Sequence, residues 1–185
     1  MKSALLLAAV AGLLAPVLAD VPAGAQWYTL KTKAKINTLS NQYLTSQNGK
    51  IGGFASTRSA PSPAGKFFTS TYEGTKTLSF HFGNDTHQAA LSGKGGVLDL
   101  IDMENPSAET VPAGVPTEWS VFTIGQGGEV GVKDWAEGDI AARRKWIMWL
   151  ETDGVYYVGL WDGVTLQPRS FANITLIAEK TTPPS

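Results

Sequence analysis

The sequence predicts an all-β domain, and its repeats favour a β-trefoil-like barrel of three four-strand units. Short runs rich in Val, Ile, Thr and aromatic residues recur from Trp27 to Glu179 between clusters of Gly, Asn and Pro, while helical periodicity is nearly absent. Three X-Gly pairs, Asn48-Gly49, Lys94-Gly95 and Asp153-Gly154, mark hairpin turns. A two-sheet β-sandwich is the alternative, because strand spacing alone does not separate the two architectures.

Twelve strands follow from these runs. Each hairpin has one strand before it and an aromatic-led strand after it, so six strands would close a barrel and three hairpins would cap it. Closure would also remove the exposed edges of the sheet. The predicted strands are Trp27–Lys33, Gln42–Thr45, Ile51–Phe54, Lys66–Tyr72, Thr77–Phe82, His87–Leu91, Val97–Ile101, Trp119–Ile124, Glu129–Lys133, Trp146–Glu151, Tyr156–Leu160 and Ala172–Glu179.

The strongest hairpin signal is Asp153-Gly154, which stands between two apolar runs. A type I′ turn needs positive φ at both central residues, and an Asp-Gly pair meets that need. Counting outward from a two-residue turn places Trp146 opposite Trp161 and makes both faces of the hairpin apolar. One face must therefore join the core. The other is either covered by loops, which is the favoured interpretation, or offered to a partner as an aromatic platform.

Length, composition and charge indicate a single domain without a nucleic-acid or membrane partner. The 185 residues are 43% hydrophobic and 10% aromatic, which is enough for one sizeable core. The 15 basic and 16 acidic residues nearly cancel, so no strong field attracts polyanions. The basic cluster Arg143 to Lys145 belongs to a connection with one predicted helical turn near Ile140–Lys145, and it is interpreted as solvated. Cysteine is absent, which excludes thiol catalysis and disulfides.

The first residues have the pattern of a secretory signal peptide. Met1–Ala19 combines a basic start at Lys2 with an apolar run too short to span a bilayer and small residues before a cleavage site after Ala19, or alternatively after Ala25. The predicted organisation is a signal peptide at 1–19, a short N-terminal segment at 20–26, one all-β domain at 27–179 and a polar tail at 180–185. We expect a secreted protein of the extracellular space or cell wall.

The sequence contains no recognisable catalytic or metal-binding constellation. His81 and His87 flank one turn, and His81 is expected to point outward as a surface residue. Two groups of carboxylates, at 99–104 and 134–139, are interpreted as solvated loops, because paired catalytic acids must face each other across a cleft. No nucleophile elbow, HExxH helix or phosphate loop is present. We therefore expect no enzymatic activity, no cofactor and no metal.

Two features of the sequence suit a compartment rich in glycans. Asn84 and Asn173 begin N-x-[ST] triplets, with Asn84 in a predicted turn and Asn173 facing outward from a predicted strand. Exposed aromatic faces pack on the apolar side of pyranose rings while nearby Asp side chains bind hydroxyl groups. The candidate glycan contacts, which include a tryptophan near Glu137 and Asp139, are Trp146, Trp161, Asp162 and Trp135.

Four motifs also resemble a known family. The runs QNGKIGGF, EWSVFTIGQGGEV, VYYVGLWDG and FANITLIAEK are similar in order and spacing to secreted fungal cell-wall proteins of the PhiA type, which are associated with phialide and conidium development. The resemblance covers most of the mature chain. It implies a wall-associated setting in spore or wall development and no catalytic residues.

These observations lead to three functional hypotheses. The first is a secreted, glycosylated, non-catalytic protein of the fungal wall or extracellular matrix, whose partner is a wall polysaccharide or extracellular glycan. The second is a β-trefoil carbohydrate-binding lectin. The third is an inhibitor of a secreted hydrolase that uses the long connection Glu104 to Glu118, since its three prolines would reduce the entropy lost on docking.

Overall fold

The computed structural model describes residues 21–54, 64–167 and 170–184. The predicted signal peptide, 1–19, lies outside the described residues, as does the last residue of the predicted tail. Within the described ranges the fold is all-β, as predicted, with a closed antiparallel barrel and additional strands. Among these residues, no helix has the length and apolar character needed to cross a bilayer.

Thirteen strands are present in the described residues. A short helix, α1, spans Gly138–Arg143, and a 3-10 turn spans Asn37–Leu39. The strands are β1 Trp27–Ala34, β2 Thr45–Gln47, β3 Lys50–Gly53, β4 Lys66–Tyr72, β5 Thr77–Phe82, β6 His87–Ser92, β7 Val97–Glu104, β8 Thr117–Trp119, β9 Phe122–Ile124, β10 Val130–Val132, β11 Lys145–Leu150, β12 Tyr156–Trp161 and β13 Ala172–Thr181.

One predicted strand, Trp119–Ile124, is divided into β8 and β9 by Ser120. The backbone of Ser120 has φ = +58°, a left-handed conformation that interrupts a strand. Side chains of β5 hold it there, because Thr77 Oγ1 donates to the Ser120 carbonyl and Ser79 Oγ lies 2.6 Å from Ser120 Oγ. These bonds come from a strand about forty residues earlier, so the local pattern did not reveal the break.

Two closed paths of paired strands run through the sheet. Nine strands form the closed antiparallel barrel, in the order β5-β4-β1-β13-β11-β12-β3-β7-β6 and back to β5. A second ring follows the order β1-β4-β5-β9-β10-β13. The bridge between Glu129 and Ile177 closes this ring, supported by a 2.8 Å hydrogen bond from Ala178 N to the Gly128 carbonyl. Its six strands match the six-strand barrel that the sequence predicts.

The three predicted hairpins are β2–β3, β6–β7 and β11–β12. Their second strands meet one another, with Gly53 paired to Tyr156, Lys50 to Ile101, and Gly159 to Asp99. The close approach requires glycine, since a Cβ on Gly159 would lie 2.9 Å from the Leu98 carbonyl oxygen. Each hairpin therefore belongs to one of three four-strand units, and the units join at the hairpins as well as through the barrel.

Aromatic rings fill the centre of the barrel. Phe67 meets Phe80 edge to face at 6.5 Å, and Phe80 meets Phe122 in the same way at 5.5 Å. All three side chains are almost completely buried, and each contributes about 1.5–3 kcal/mol through burial. Other fully buried members of this cluster are Leu30, Leu44, Ile51, Leu91, Met148, Val158 and Leu176.

The register predicted for β11–β12 is wrong by one residue. Trp146 lies opposite Leu160, not opposite Trp161, because the turn has three residues instead of two. The hydrogen bond from Glu151 N to the Val155 carbonyl, 3.1 Å, closes this wider loop. Asp153 stabilises it, since its carboxylate accepts hydrogen bonds from Val155 N and, at 2.6 Å, from the Tyr157 hydroxyl. A three-residue loop with a left-handed glycine is the next commonest hairpin connection.

Both faces of this hairpin are apolar, and both are covered. Trp146 and Met148 point into the barrel core. Ile147, Trp149 and Tyr157 lie on the other face in a second, smaller cluster with Val97. The Trp149 side chain is only 3% exposed, so the face that could have been a platform is largely interior.

Candidate functional site

A groove of about 670 Å³ lies where β4, the β8–β9 junction and the segment after β10 meet. Three aromatic side chains line it: Tyr72, Trp119 and Trp135. Trp135 is 77% exposed and Tyr72 is 55% exposed, which is unusual for rings of this size. The remaining lining residues are Thr75, Glu118, Ser120, Val121, Lys133 and Asp134.

The exposed ring of Trp135 is anchored at its polar edge. Its Nε1 donates a 2.6 Å hydrogen bond to Glu118 Oε1. The preceding residue, Asp134, accepts a 2.9 Å bond from Ala136 N through its own carboxylate, which forms an Asx turn around Trp135. The indole N–H is therefore satisfied by the protein, while most of the ring surface faces solvent.

Residues from all three units of the fold meet at this groove. Lys133 N donates a 2.8 Å hydrogen bond to the Val121 carbonyl, which ties the chain after β10 to β9. The left-handed conformation of Ser120 separates β8 from β9 at the groove wall. Backbone hydrogen bonding therefore positions the groove before any ligand arrives.

A buried charge cluster lies next to Trp135. Arg144 forms an ion pair with Asp134, and the two side chains are 14% and 3% exposed. Glu118 contacts the same aspartate, and its Oε2 atom is buried without a hydrogen-bond partner in the described structure. Two ionised carboxylates have no donor to share, whereas a proton on Glu118 lets it donate to Asp134.

The pKa values of the two acids move in opposite directions. Burial raises the pKa of Glu118 above its ordinary value, and the neighbouring Asp134 carboxylate raises it further, against the opposing effects of Trp135 and Arg144. Burial alone would also raise the pKa of Asp134, but the hydrogen bond from Arg144 holds it below its ordinary value. Of the two acids, Glu118 therefore holds its proton to the higher pH.

The geometry of this pair suits support of the groove better than catalysis. Glycoside hydrolysis uses two carboxyl groups separated by about 5–10 Å across a cleft, with the substrate between them. Glu118 and Asp134 are instead neighbours, and Asp134 is also paired with Arg144. Through the hydrogen bond from Trp135 to Glu118, the pair helps to hold the exposed indole in place at the groove.

Of the predicted glycan contacts, Trp135 lines the groove. Its carboxylate partner is Glu118, and the predicted neighbours Glu137 and Asp139 do not line the groove. The prediction for Trp146 is wrong, because its side chain is 7% exposed and its Nε1 donates a 2.7 Å bond to the Val130 carbonyl. The register of β11–β12 places this ring on the core side of the hairpin.

Trp161 and Asp162 lie elsewhere, next to the loop that follows β12. Trp161 is half-buried, contacts the ring of Phe171 at 5.0 Å and donates from Nε1 to the Thr165 carbonyl. The carboxylate of Asp162 accepts hydrogen bonds from the backbone N–H groups of Val164 and Thr165 and from the Thr165 hydroxyl. These two side chains hold a turn together and do not line the Trp135 groove.

The histidines also differ in part from expectation. His81 was expected at the surface but is 6% exposed, stacked on Phe68 at 4.7 Å, with Nε2 2.7 Å from Ser70 Oγ. Burial lowers its pKa, so it is neutral near pH 7. His87 is partly exposed and bonded to Asp102. The described residues contain no group of three or more His, Cys, Asp or Glu side chains that could hold a metal ion.

Both sequon asparagines occupy exposed positions. Asn84 lies in the turn between β5 and β6, where its Oδ1 accepts hydrogen bonds from Thr86 N, Thr86 Oγ1 and His87 N. Asn173 lies near the start of β13, paired with Ile147 across the sheet. Their placement in a turn and on an outward-facing strand position agrees with the sequence analysis, and their glycosylation stays a prediction.

Sequence reasoning missed three residues that line the groove together with Trp135: Tyr72, Glu118 and Trp119. Glu118 and Trp119 lie across the β9–β10 hairpin from Trp135, and the extension of that ladder by the bond from Lys133 N to the Val121 carbonyl brings them together, whereas Tyr72 is remote in the chain. A search of family models, curated proteins and solved structures gives no match to this chain. The resemblance to PhiA-type proteins therefore stays a prediction.

Proposed function

We propose that this protein is a secreted, non-catalytic member of the cell wall or extracellular matrix that binds a polysaccharide through the Trp135 groove. The observation that carries the proposal is an indole ring 77% exposed to solvent and pinned by a 2.6 Å hydrogen bond. A pinned ring loses little conformational entropy when a sugar stacks on it. The apolar face of a pyranose ring is a suitable occupant.

The shape and charge of the groove favour an uncharged sugar chain. A volume of about 670 Å³ is within the usual range for small-ligand sites and accommodates a few sugar residues. The negative charge of Asp134 is offset by Arg144, and Lys133 provides a positive charge in the same lining as Glu118. Recognition would therefore depend on stacking against Trp135 and Tyr72 and on hydroxyl contacts, and much less on ion pairing.

The secretory setting supports this partner class. The predicted signal peptide directs the chain to a compartment rich in polysaccharides. The resemblance to PhiA-type wall proteins points to fungal spore or wall development. A protein without catalysis of its own would act there by non-covalent adhesion.

The test is binding of the purified mature protein to insoluble chitin, β-1,3-glucan and mannan, measured as depletion from solution over a concentration series. We expect saturable binding to at least one of them and about tenfold weaker binding for Trp135→Ala. Leu166→Ala is the matched control, since this side chain is 92% exposed and lies outside the groove. Absence of saturable binding, or equal losses in the two variants, would overturn the proposal.

A further inference from the structure

A second groove, of about 570 Å³, contains one of the two sequon asparagines. It is formed by the end of β1 and the start of β13, and its lining includes Asn173 and Phe171. Ile36, on the β1 side, is 51% exposed there. The groove is thus an uncovered, largely apolar surface with a potential attachment point for a glycan in its wall.

Phe171 and Asn173 are suitably arranged for contact between a ring and an attached sugar. Residues two apart in an extended chain share a face and lie about 6.6–6.8 Å apart along it. Both side chains line the same groove. The Phe171 ring rests against Trp161 at a centroid distance of 5.0 Å, which gives it a fixed support. Asn173 itself is exposed.

We propose that Asn173 carries an N-linked glycan whose first sugar packs against Phe171 and covers this groove. The inference rests on the secretory part of the proposed function. The new bond joins Asn173 Nδ2 to C1 of the sugar. A lipid-linked oligosaccharide is the donor, its lipid pyrophosphate leaves with the electron pair of the broken bond, and one amide proton passes to the transferase.

The other sequon, at Asn84, serves as a comparison for Asn173 within the same chain. Phe82, Asn84 and Thr86 repeat the same spacing, yet the geometry differs because Gly83 has φ = +76° and turns the chain between ring and amide. Phe82 also packs against Phe67 at 5.3 Å. A glycan on Asn84 would extend into solvent without a ring beside it, so its loss should leave stability unchanged.

The first experiment is expression in a eukaryotic secretory host, followed by glycopeptide mass spectrometry. We expect the protein in the medium with Asn173 occupied. Failure of export would contradict the proposed function. Export with an unoccupied Asn173 would contradict this inference alone, as polysaccharide binding at Trp135 is measured separately.

The second experiment is a thermal double-mutant cycle on the secreted protein, with Phe171→Leu and Asn173→Gln alone and together. Leucine retains apolar bulk without a flat ring, so the variant is expected to fold. We expect Phe171→Leu to lower Tm by about 2–4 °C more in the glycosylated background than in the Asn173→Gln background. Asn84→Gln alone also removes the hydrogen bonds that Asn84 Oδ1 accepts in its turn. The control is therefore a second cycle, in which Phe82→Leu should lower Tm equally in the glycosylated and the Asn84→Gln backgrounds. A zero difference for Phe171→Leu between its two backgrounds, or an equal difference for Phe82→Leu, would overturn the proposal.

Discussion

Trp135 and Trp146 are chemically identical and both donate their indole N–H to an oxygen of the protein, yet they differ elevenfold in exposure, 77% against 7%. Trp146 is packed on all sides in the barrel core. Trp135 has its polar atom satisfied and its apolar face bare. A ring with a satisfied N–H and an exposed face contributes little to folding, which is the basis on which we propose a binding role for Trp135.

The largest expected effect is the difference in unfolding free energy between the alanine variants of the two tryptophans. Trp146→Ala should destabilise the fold by about 3–5 kcal/mol, because it leaves a cavity and removes the donor to the Val130 carbonyl. Trp135→Ala should cost less than about 1 kcal/mol, since most of the ring is already in water. Urea unfolding measures both. Similar losses of unfolding free energy in the two variants would contradict the difference proposed between the two tryptophans.

An intermediate loss of stability is expected when the ion pair between Arg144 and Asp134, next to Trp135, is removed. Replacing Arg144 by Met should cost roughly 2–4 kcal/mol, because Asp134 would remain buried without its cation beside Glu118. Arg143→Met is the matched control, as the Arg143 side chain is 54% exposed and contacts Asp139 within the same short helix, through a 3.9 Å ion pair and a 3.1 Å hydrogen bond to its carbonyl. We expect the control to change unfolding free energy by less than about 0.5 kcal/mol. Equal losses would show that Arg144 gives no specific support.

The smallest expected effect is the change of stability with pH that arises from the raised pKa of Glu118. Its pKa is raised in the folded state, so between its ordinary value of 4.5 and the raised value the folded protein binds more protons than the unfolded chain. Stability from this group is therefore present below pH 4.5 and declines as pH rises through the raised pKa. The lowered pKa of Asp134 acts oppositely, and its contribution is lost as pH falls below its ordinary value of 3.8.

Glu118→Gln tests this directly, because the amide accepts from Trp135 and donates to Asp134 at every pH. We expect Tm of the wild type, measured from pH 4.5 to 8, to fall relative to that of the variant as pH rises. Glu137→Gln, at an exposed position, is the control and should follow the wild type. Curves for Glu118→Gln and wild type that run in parallel would show that no proton is shared.

The contrast between the two tryptophans also shows where sequence reasoning was accurate. Most strand positions were predicted well, because alternating apolar residues and X-Gly pairs act through local backbone preferences. The strand predicted at Gln42–Thr45 is an exception, since β2 lies at Thr45–Gln47. β4 and β5 have the predicted bounds, and the three hairpin turns are where the sequence placed them. Closure of the barrel followed from the grouping of those strands into three units.

The sequence by itself determined the all-β class, the three hairpins and the position of nearly every strand, since each depends on neighbouring residues. Tertiary structure decided which rings are covered. The Asp153–Tyr157 hydrogen bond favours a three-residue turn, and that single residue moves Trp146 from opposite Trp161 to opposite Leu160. The contact of Trp135 with Glu118 lies at the open end of the β9–β10 hairpin, and side chains of the more distant strand β5 hold the break at Ser120 beside it.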